Sequence, residues 1–559
     1  MTRAYVLAPV LVCWLAGTVA AGTSTNHRAA VRKRTDGASA RVTVGLPGRM
    51  ARQVTGRREI PLTPEESTAR QIEELLRGPL RVGITGIYVA NAKTGEPLFA
   101  VNQDDALNPA SNVKMLSTAA ALELMGPEFR YTTRLLGPEP DAAGVIHGDV
   151  YLLGGYDPTL VAADFEDIGA QLAARGVRQL DGNIVVGSDP DRDGLPTALV
   201  PIEIIAGEPN QAPLAITPPG FDFVVVRVVA TTARKPQRPR LSYTAEAMLD
   251  AQGHRRIALT IGGTIGLAGV VTHPLALRDR AATAAHFVRA ALRAHSVVVN
   301  GDITNIELEQ YLAARGGAPA PELARHDSAR LADIVARVNK RSINWLADRV
   351  IMTAAGLSRG QAPSMAAGLA AMYKWLADHP RIDKMRTRLD SGSGLSYFSR
   401  VTTRDLVSII RSAAGFADIA DTKLTTAWVD SLAVSGTDGT LAGRLRTPEM
   451  RGRIHAKTGT LSTAIALSGV LDADPDRPLA FSIVTNGDRP LRKDRVRKAH
   501  DQIVAALYNY IVKTAKVAIQ PLPLPPADVD HSIVPEEFED AEPDPPQDTF
   551  SLNPKVHLN

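Results

Sequence analysis

One cysteine, Cys13, is all the thiol this chain of 559 residues contains. Neither a disulfide framework nor a cysteine-held zinc can be built from it. The twelve histidines include no H-E-x-x-H arrangement, which sets a zincin aside. An excess of charge of one sign is missing too. Lys plus Arg number 63 against 59 Asp plus Glu, a formal +4, and so small a balance does not call for nucleic acid. A comfortable membrane span is also lacking: the apolar N-terminal stretch from Ala4 to Ala21 holds Pro9 and barely reaches across a bilayer. What remains is a chain 45% apolar and 22% charged. It is long enough to bury a large core, which excludes a short peptide and a wholly disordered chain, and its length suggests roughly three to four domains.

The N-terminus reads as an export signal over residues 1–21. Arg3 precedes the apolar run, and Thr18-Val19-Ala20-Ala21-Gly22 offers small residues for cleavage after Ala20 or Ala21. An uncleaved signal would instead act as an anchor. Either way the expected location is the periplasm or the extracellular cell envelope. Residues 22–60 read as a basic disordered linker: Arg28, Arg32, Lys33 and Arg34 open a basic run answered only by Asp36 and Glu59. Such a leader is solvated and able to make weak contacts with membrane headgroups or anionic wall polymer. Residues 520–559 form an acidic, Pro-rich tail, as in Pro535-Glu536-Glu537-Phe538-Glu539-Asp540, a composition that should not fold.

Between the tails α and β patterns mix. Val82–Ile84, Ile87–Val89 and Pro97–Val101 read as strands. Asn108-Pro109 opens a helix to about Met125. Residues 145–232 carry short glycine-bounded strands. A β-like stretch, Arg256–Val271, precedes a helix over Arg280–His295, and Ala329–Leu357 reads as a helix with a break. Ala464–Leu471 and Leu479–Thr485 suggest an antiparallel pair. A helix over Lys493–Lys513 follows, with Val496, His500, Ile503, Val504, Leu507 and Ile511 on one face.

Three short strings carry chemistry. Ser111-Asn112-Val113-Lys114 places a lysine one helical turn after a serine, and no other serine in the chain has that neighbour. A serine needs an adjacent base to attack an acyl group, and a lysine serves when burial or nearby cations lower its pKa. Ser342-Ile343-Asn344 offers a hydroxyl and an amide. Lys457-Thr458-Gly459-Thr460 sits on a strand where glycine permits close approach, lysine can hold a carboxylate, and a backbone N–H can meet an oxyanion. Lys93-Thr94-Gly95 repeats three of these letters, but in a hairpin turn ahead of the serine and without the following threonine. Each string alone is ordinary helix-start or turn chemistry.

Together and in this order, S-x-x-K, S-x-N and K-T-G are the signature of penicillin-binding proteins and serine β-lactamases. The sequence resembles the class C low-molecular-mass penicillin-binding proteins, D-Ala-D-Ala carboxypeptidases/endopeptidases, over roughly residues 65–515. Ser111 and Ser342 lie 231 positions apart, and Asn344 and Lys457 lie 113 apart. The first gap matches that family's inserted domains and is far longer than a compact β-lactamase needs. Leu153-Gly-Gly-Tyr156-Asp157-Pro158-Thr159-Leu160, Asp390–Ser396 and Gly436–Leu441 match as well.

The resemblance implies an α/β (α+β) protein with a β-lactamase/transpeptidase-like catalytic domain split by nested β-rich insertions. We expect the catalytic domain at 61–135 and 325–519, an inserted domain at 136–217 and 274–324, and a second domain, 218–273, nested within it. It implies Ser111 as acylated nucleophile and Lys114 as its base. Ser342 would relay a proton to the leaving amine, with Asn344 holding Lys114 and the substrate amide. Lys457, Thr458 and Thr460 would bind the substrate carboxylate beside Gly459, and the N–H groups of Ser111 and Thr460 would form the oxyanion hole. No cofactor and no metal are expected. The expected partners are peptidoglycan stem peptides, with β-lactams as covalent inhibitors.

Two departures stand out. Ile343 replaces the commoner Asp of S-D-N, and Leu199–Ile216 lacks the Trp/Asp-rich stretch of family members, leaving only Glu203 and Glu208 as carboxylates. His455 shares strand parity with Lys457. The rival readings are a β-lactamase, which rapid penicillin turnover would reveal, and a peptidoglycan-binding protein with a weak site, which failure to acylate would reveal.

Overall fold

The structure, a computed structural model, describes Thr43–Val44 and residues 61–515 except 188–193, 196–198, 219–220, 222, 250–254, 277–279, 383–384 and 386. The signal, the acidic tail and nearly all of the linker lie outside these residues. No described helix is long and apolar enough to cross a membrane.

One seven-stranded antiparallel sheet organises the body that carries the motifs, and its strands and helices are numbered here in chain order. The strands are β1 (Thr43–Val44), β2 (Ile84–Asn91), β3 (Pro97–Val101), β4 (Ala433–Val434), β5 (Ile454–Thr460), β6 (Ala464–Leu471) and β7 (Leu479–Asn486). They lie in the order β1-β3-β2-β7-β6-β5-β4. Thr43–Val44 falls inside the segment expected to be linker. There it pairs with Ala100 and Phe99 of β3, two β-branched residues completing an edge.

Strand alternation sorts the side chains onto two covered faces. Ile87, Val89, Ile465, Leu467, Phe481 and Ile483 pack with α1 (Pro64–Arg77) and α8 (Lys493–Thr514). Tyr88, Ala90, Ala466, Val470, Ala480 and Val484 pack with a helical layer. That layer holds α2 (Val113–Met125), α3 (Leu331–Arg341), α4 (Asn344–Leu357), α5 (Met365–Asp378), α6 (Thr403–Ala413) and α7 (Thr422–Ser431). Helix α2 is its centre: Val113 to Leu122 are all buried, as an element surrounded by other elements must be. The amphipathic face expected of α8 is buried throughout. The expected break in the Ala329–Leu357 helix falls at Ser342-Ile343, between α3 and α4.

The long stretch between Ser111 and Ser342 builds separate sheets. Thr132–Leu136 and Glu322–Asp327 run antiparallel, with Thr132 opposite Asp327. They join Val150–Leu153, Ile184–Val186 and Ile303–Asn305 in a five-stranded sheet. Leu199–Ile205 pairs with Leu214–Ile216 and Val270–Ala276. Between these, Arg240–Leu249 and Arg255–Ile265 form a long hairpin with Val224–Val228 alongside. Phe221, Leu259 and Ile261 share one core with Ile202, Val288 and Leu292, so the segment 218–273 is packed onto the rest of the insertion.

Candidate active site

The nucleophile's position starts with Asn108. Its Oδ1 accepts from the Ala110 N–H at 2.8 Å and its Nδ2 donates to the Ser396 carbonyl at 3.0 Å. Asn486 clamps its backbone in turn, accepting from the Asn108 N–H at 2.7 Å and donating to the Asn108 carbonyl at 3.0 Å. Ala110 is held at φ 47°, a left-handed conformation that is costly for a residue with a Cβ. A single 3-10 turn, Ala110–Asn112, then presents Ser111 before α2 begins. Asn112, fully buried, ties this turn to β6 through its Nδ2 and Ser468 Oγ at 2.6 Å. The expected helix start is therefore a strained turn, bolted at both ends.

Lys114 is completely buried. Its Nζ lies 2.9 Å from Ser111 Oγ, 2.6 Å from Asn344 Oδ1 and 2.8 Å from the Ser393 carbonyl. The last two partners can only accept, so they take two of the amine's N–H bonds. The remaining tetrahedral position points at Ser111, which is where an amine lone pair must lie to accept a serine proton. Asp348, one turn beyond Asn344 on α4, accepts from the Ser393 N–H at 2.8 Å. Burial pushes its carboxyl up, opposed by its bonds to Ser393 and by the Lys114 charge.

Ser342 caps α3 at φ 59°, a second non-glycine residue in the left-handed region. Lys457, also fully buried, donates from Nζ to Ser342 Oγ at 2.7 Å and to the Thr458 carbonyl at 2.9 Å. Gly459 sits against the serine turn. A Cβ there would lie 2.8 Å from the Pro109 carbonyl oxygen and 3.1 Å from Ala110 Cβ, so only glycine lets β5 and the turn approach this closely. Gly394 does the same from the other side: at φ 75° it packs so that a Cβ would meet the Ala110 carbonyl oxygen at 2.1 Å. The Asp390–Ser396 loop is thus pressed onto the serine turn, and Ser117 Oγ fixes it further by donating to the Gly392 carbonyl at 2.8 Å.

The structure therefore brings Ser111, Lys114, Ser342, Asn344, Lys457 and Gly459 to one cleft between β5 and the helical layer. Thr458 and Thr460 have the opposite strand parity. Thr458 Oγ1 bonds Thr440 Oγ1 at 2.8 Å, and Thr460 Oγ1 accepts from Arg497 Nη2 at 3.0 Å. Among the described residues β4 pairs with β5 only at Ala456 and His455, so Lys457–Thr460 has no strand partner on that side, although Thr440 bonds Thr458 there. His455 is half-buried; burial first, and then the Lys340 cation, holds its ring below the ordinary imidazole range. Glu203 and Glu208 are exposed in the insertion. The described residues hold no cluster of metal-binding side chains.

Sequence reasoning missed Asn108, Asn486, Asp348 and Arg497. Asn108 and Asn486 are 378 positions apart, and no local pattern links them. Exposed Trp345, Leu395, Tyr397 and Phe398 also stand on the residues that flank the cleft. Tyr397 OH reaches Ser462 Oγ at 3.0 Å, just beyond the end of β5.

This geometry coincides with what the chain matches. Residues 68–190 and 198–510 match the D-Ala-D-Ala carboxypeptidase 3 (S13) family, and the chain belongs to it. A D-alanyl-D-alanine carboxypeptidase from Actinomadura sp. is 31% identical over 74% of this chain and 80% of its own length. The carboxypeptidase DacB of Mycolicibacterium smegmatis is 26% identical over 80% of this chain and 85% of its own. Among solved structures, penicillin binding protein 4 of Haemophilus influenzae, complexed with a β-lactam, superposes with a TM-score of 0.58. It has 20% identity, with 78% of this chain and 99% of that one covered, and it supports the fold. The chain is thus a serine-type D-Ala-D-Ala carboxypeptidase of the class C low-molecular-mass penicillin-binding group, with the mixed α/β fold expected of it.

Proposed function

We propose that this chain is an exported enzyme that trims and cleaves peptidoglycan stem peptides through an acyl-enzyme on Ser111, and that penicillins acylate the same serine. The observation that carries the reading is the Lys114 amine, 2.9 Å from Ser111 Oγ with its other hydrogens committed to Asn344 and Ser393.

The steps follow from the contacts. Ser111 Oγ attacks the carbonyl carbon of the penultimate D-Ala as its proton passes to Lys114 Nζ. The N–H groups of Ser111 and Thr460 receive the charge that develops on the carbonyl oxygen. The C–N bond then breaks as the leaving amine takes a proton from Ser342 Oγ, oriented by Lys457 at 2.7 Å; the proton that Lys114 took from Ser111 makes good the one Ser342 gives, so Ser342 ends neutral and Lys114 is a free amine again. Water attacks the ester, returns the proton to Ser111 and frees the shortened peptide. Among the described residues the outer edge of β5 has no strand partner at Lys457–Thr460, so an extended peptide can add to it as a further strand. To hold the terminal carboxylate, the hydroxyls of Thr458 and Thr460 would turn from the Thr440 and Arg497 partners they have in this structure.

The insertion bears none of these groups, so its role is to shape access for peptide substrates. The export reading rests on the sequence of residues 1–21, and weak envelope contact on the basic residues of 22–60. The test is product analysis with a D-Ala-D-Ala pentapeptide and a cross-linked peptide dimer. Release of D-Ala and splitting of the dimer are expected. Hydrolysis of penicillin at high turnover with no peptide cleavage would contradict it.

A further inference from the structure

Thr458 has a partner that the reaction steps leave unused. Its Oγ1 donates to Thr440 Oγ1 at 2.8 Å, and Thr440 belongs to the loop Gly436–Leu441. That loop stands at the edge of β5 where β4 has ended. Strand β4 covers His455 and Ala456, and Thr440 meets β5 two residues further on.

The loop holds Thr440 in place from several sides. Asp438 Oδ1 accepts from the Val434 N–H at 2.8 Å, and its Oδ2 accepts from Lys340 Nζ at 2.7 Å. Lys340 also donates to the Leu432 carbonyl at 2.9 Å. Gly439, at φ 54°, lies so close to the end of α3 that a Cβ would meet the Lys340 carbonyl oxygen at 2.6 Å. The Gly436 N–H donates to the Leu441 and Arg444 carbonyls at 3.0 and 2.9 Å. Leu441, fully buried, anchors the 3-10 turn Gly439–Leu441. Lys340 precedes Ser342 by two residues, so one helix end positions both Ser342 and the Thr440 loop.

Packing does not account for the Thr440 hydroxyl. The residue is only partly buried, and Leu441 already supplies the turn's anchor. The hydroxyl accepts from Thr458, and no described residue accepts its own hydrogen. A hydroxyl has one hydrogen and two lone pairs, and a carboxylate can only accept. In this structure the Thr458 hydrogen is engaged by Thr440, so a carboxylate must draw it away. Once that hydrogen turns to the carboxylate, Thr458 Oγ1 offers a lone pair to Thr440 across the same gap. The bond then reverses: Thr440 donates to Thr458, and Thr458 donates onward. Hydrogen bonds running one way along a chain polarise one another, and a charged acceptor at the end strengthens the last.

We propose that Thr440 is a positioning residue for the substrate's terminal carboxylate, acting through Thr458 by this reversal. The proposal rests on the reading of Thr458 as a residue that holds that carboxylate.

The test uses the full-length enzyme and two variants. Thr440→Val keeps the shape and removes the hydroxyl, and Thr440→Ser keeps the hydroxyl. Each is given a pentapeptide ending in D-Ala-D-Ala and the same peptide with its terminal carboxylate amidated, with enzyme in excess where turnover is slow. Thermal melts check the fold. Thr440→Val should lose roughly fivefold in kcat/KM on the acid, the scale of one hydrogen bond. The loss should fall mainly on KM, as expected for a contact kept from bound substrate to transition state. The amide should stay within about twofold, and Thr440→Ser should recover most of the loss on the acid. Equal losses on acid and amide would assign Thr440 a structural role and overturn the inference, as would no loss on either. A gain on the acid would also overturn it, since Thr440 would then compete with the carboxylate for Thr458. A wild type that cleaves acid and amide alike would instead remove the carboxylate from the reading of Thr458, and Thr440's role with it. A wild type that penicillin acylates but that cleaves neither peptide would sink the peptidase reading itself.

Discussion

At the scale of the residue, the decisive fact is how the valences of Lys114 are filled. An amine with two acceptor-only partners has one direction left, and here that direction is Ser111. Replacing Lys114 with Ala should leave the fold standing and slow acylation by roughly 10²–10⁴-fold, the usual worth of a positioned base. Stopped-flow acylation kinetics beside a thermal melt would measure both, and a rate within a few-fold of wild type would remove Lys114 from that role. Gly459 offers a sharper test of packing. Its missing Cβ would press on the backbone of Pro109 and on Ala110, neither of which can swing away. Gly459→Ala should cost on the order of 1–3 kcal/mol in chemical denaturation, as overpacking does, and should slow acylation by displacing the serine turn. These residues were legible because they belong to three short strings whose order and combination, not any one string, carry a chemical meaning. Asp348 and Arg497 were not. A lone carboxylate on a helix, or one arginine in a basic run, acquires meaning only when the fold sets it beside Ser393 or Thr460.

At the scale of the element, local pattern and tertiary context divide the account. Helix α8 was readable from its apolar period, and His500 from its place on that face. The sequence did not say what the ring meets: its Nε2 lies 2.9 Å from Thr485 Oγ1, which in turn bonds Thr85 Oγ1 at 2.9 Å, while its buried Nδ1 has no hydrogen-bond partner among the described residues. Full burial pushes the ring's pKa down from 6.5 to about 3. The folded state therefore keeps His500 neutral while the unfolded chain protonates it. Stability from this group is complete above the unfolded value and drains away as pH falls from about 6.5 towards 3, at up to about 1.4 kcal/mol per pH unit. A His500→Gln variant, which can keep the bond to Thr485, should lose stability less steeply over that window. Denaturation midpoints at neutral and mildly acid pH would show this, and parallel curves for variant and wild type would contradict it. The serine turn was the element read least well. Asn108-Pro109 resembles a helix start, yet Asn108 spends its side chain on Ala110 and Ser396 and so holds a 3-10 turn ahead of α2.

At the scale of the whole molecule, the residues between Ser111 and Ser342 build sheets of their own, and how they pack was not readable from the sequence. The segment 218–273 shares buried residues with its surroundings, and only the fold reveals partners so distant in sequence. The pairing of Thr132 with Asp327 suggests where to cut. Joining Thr132 to Asp327 through Asn-Gly, a turn suited to antiparallel strands, should give a folded protein that penicillin still acylates while cleavage of large peptides declines. Cooperative folding without acylation would mean that the excised residues contribute to the site. The claim beneath all of this is that one serine carries the acyl group. Intact mass after incubation with penicillin, followed by peptide mapping, addresses it directly. The account predicts one adduct, located on the peptide containing Ser111 and absent from Ser111→Ala. An adduct on another residue, or one that survives that substitution, would contradict it.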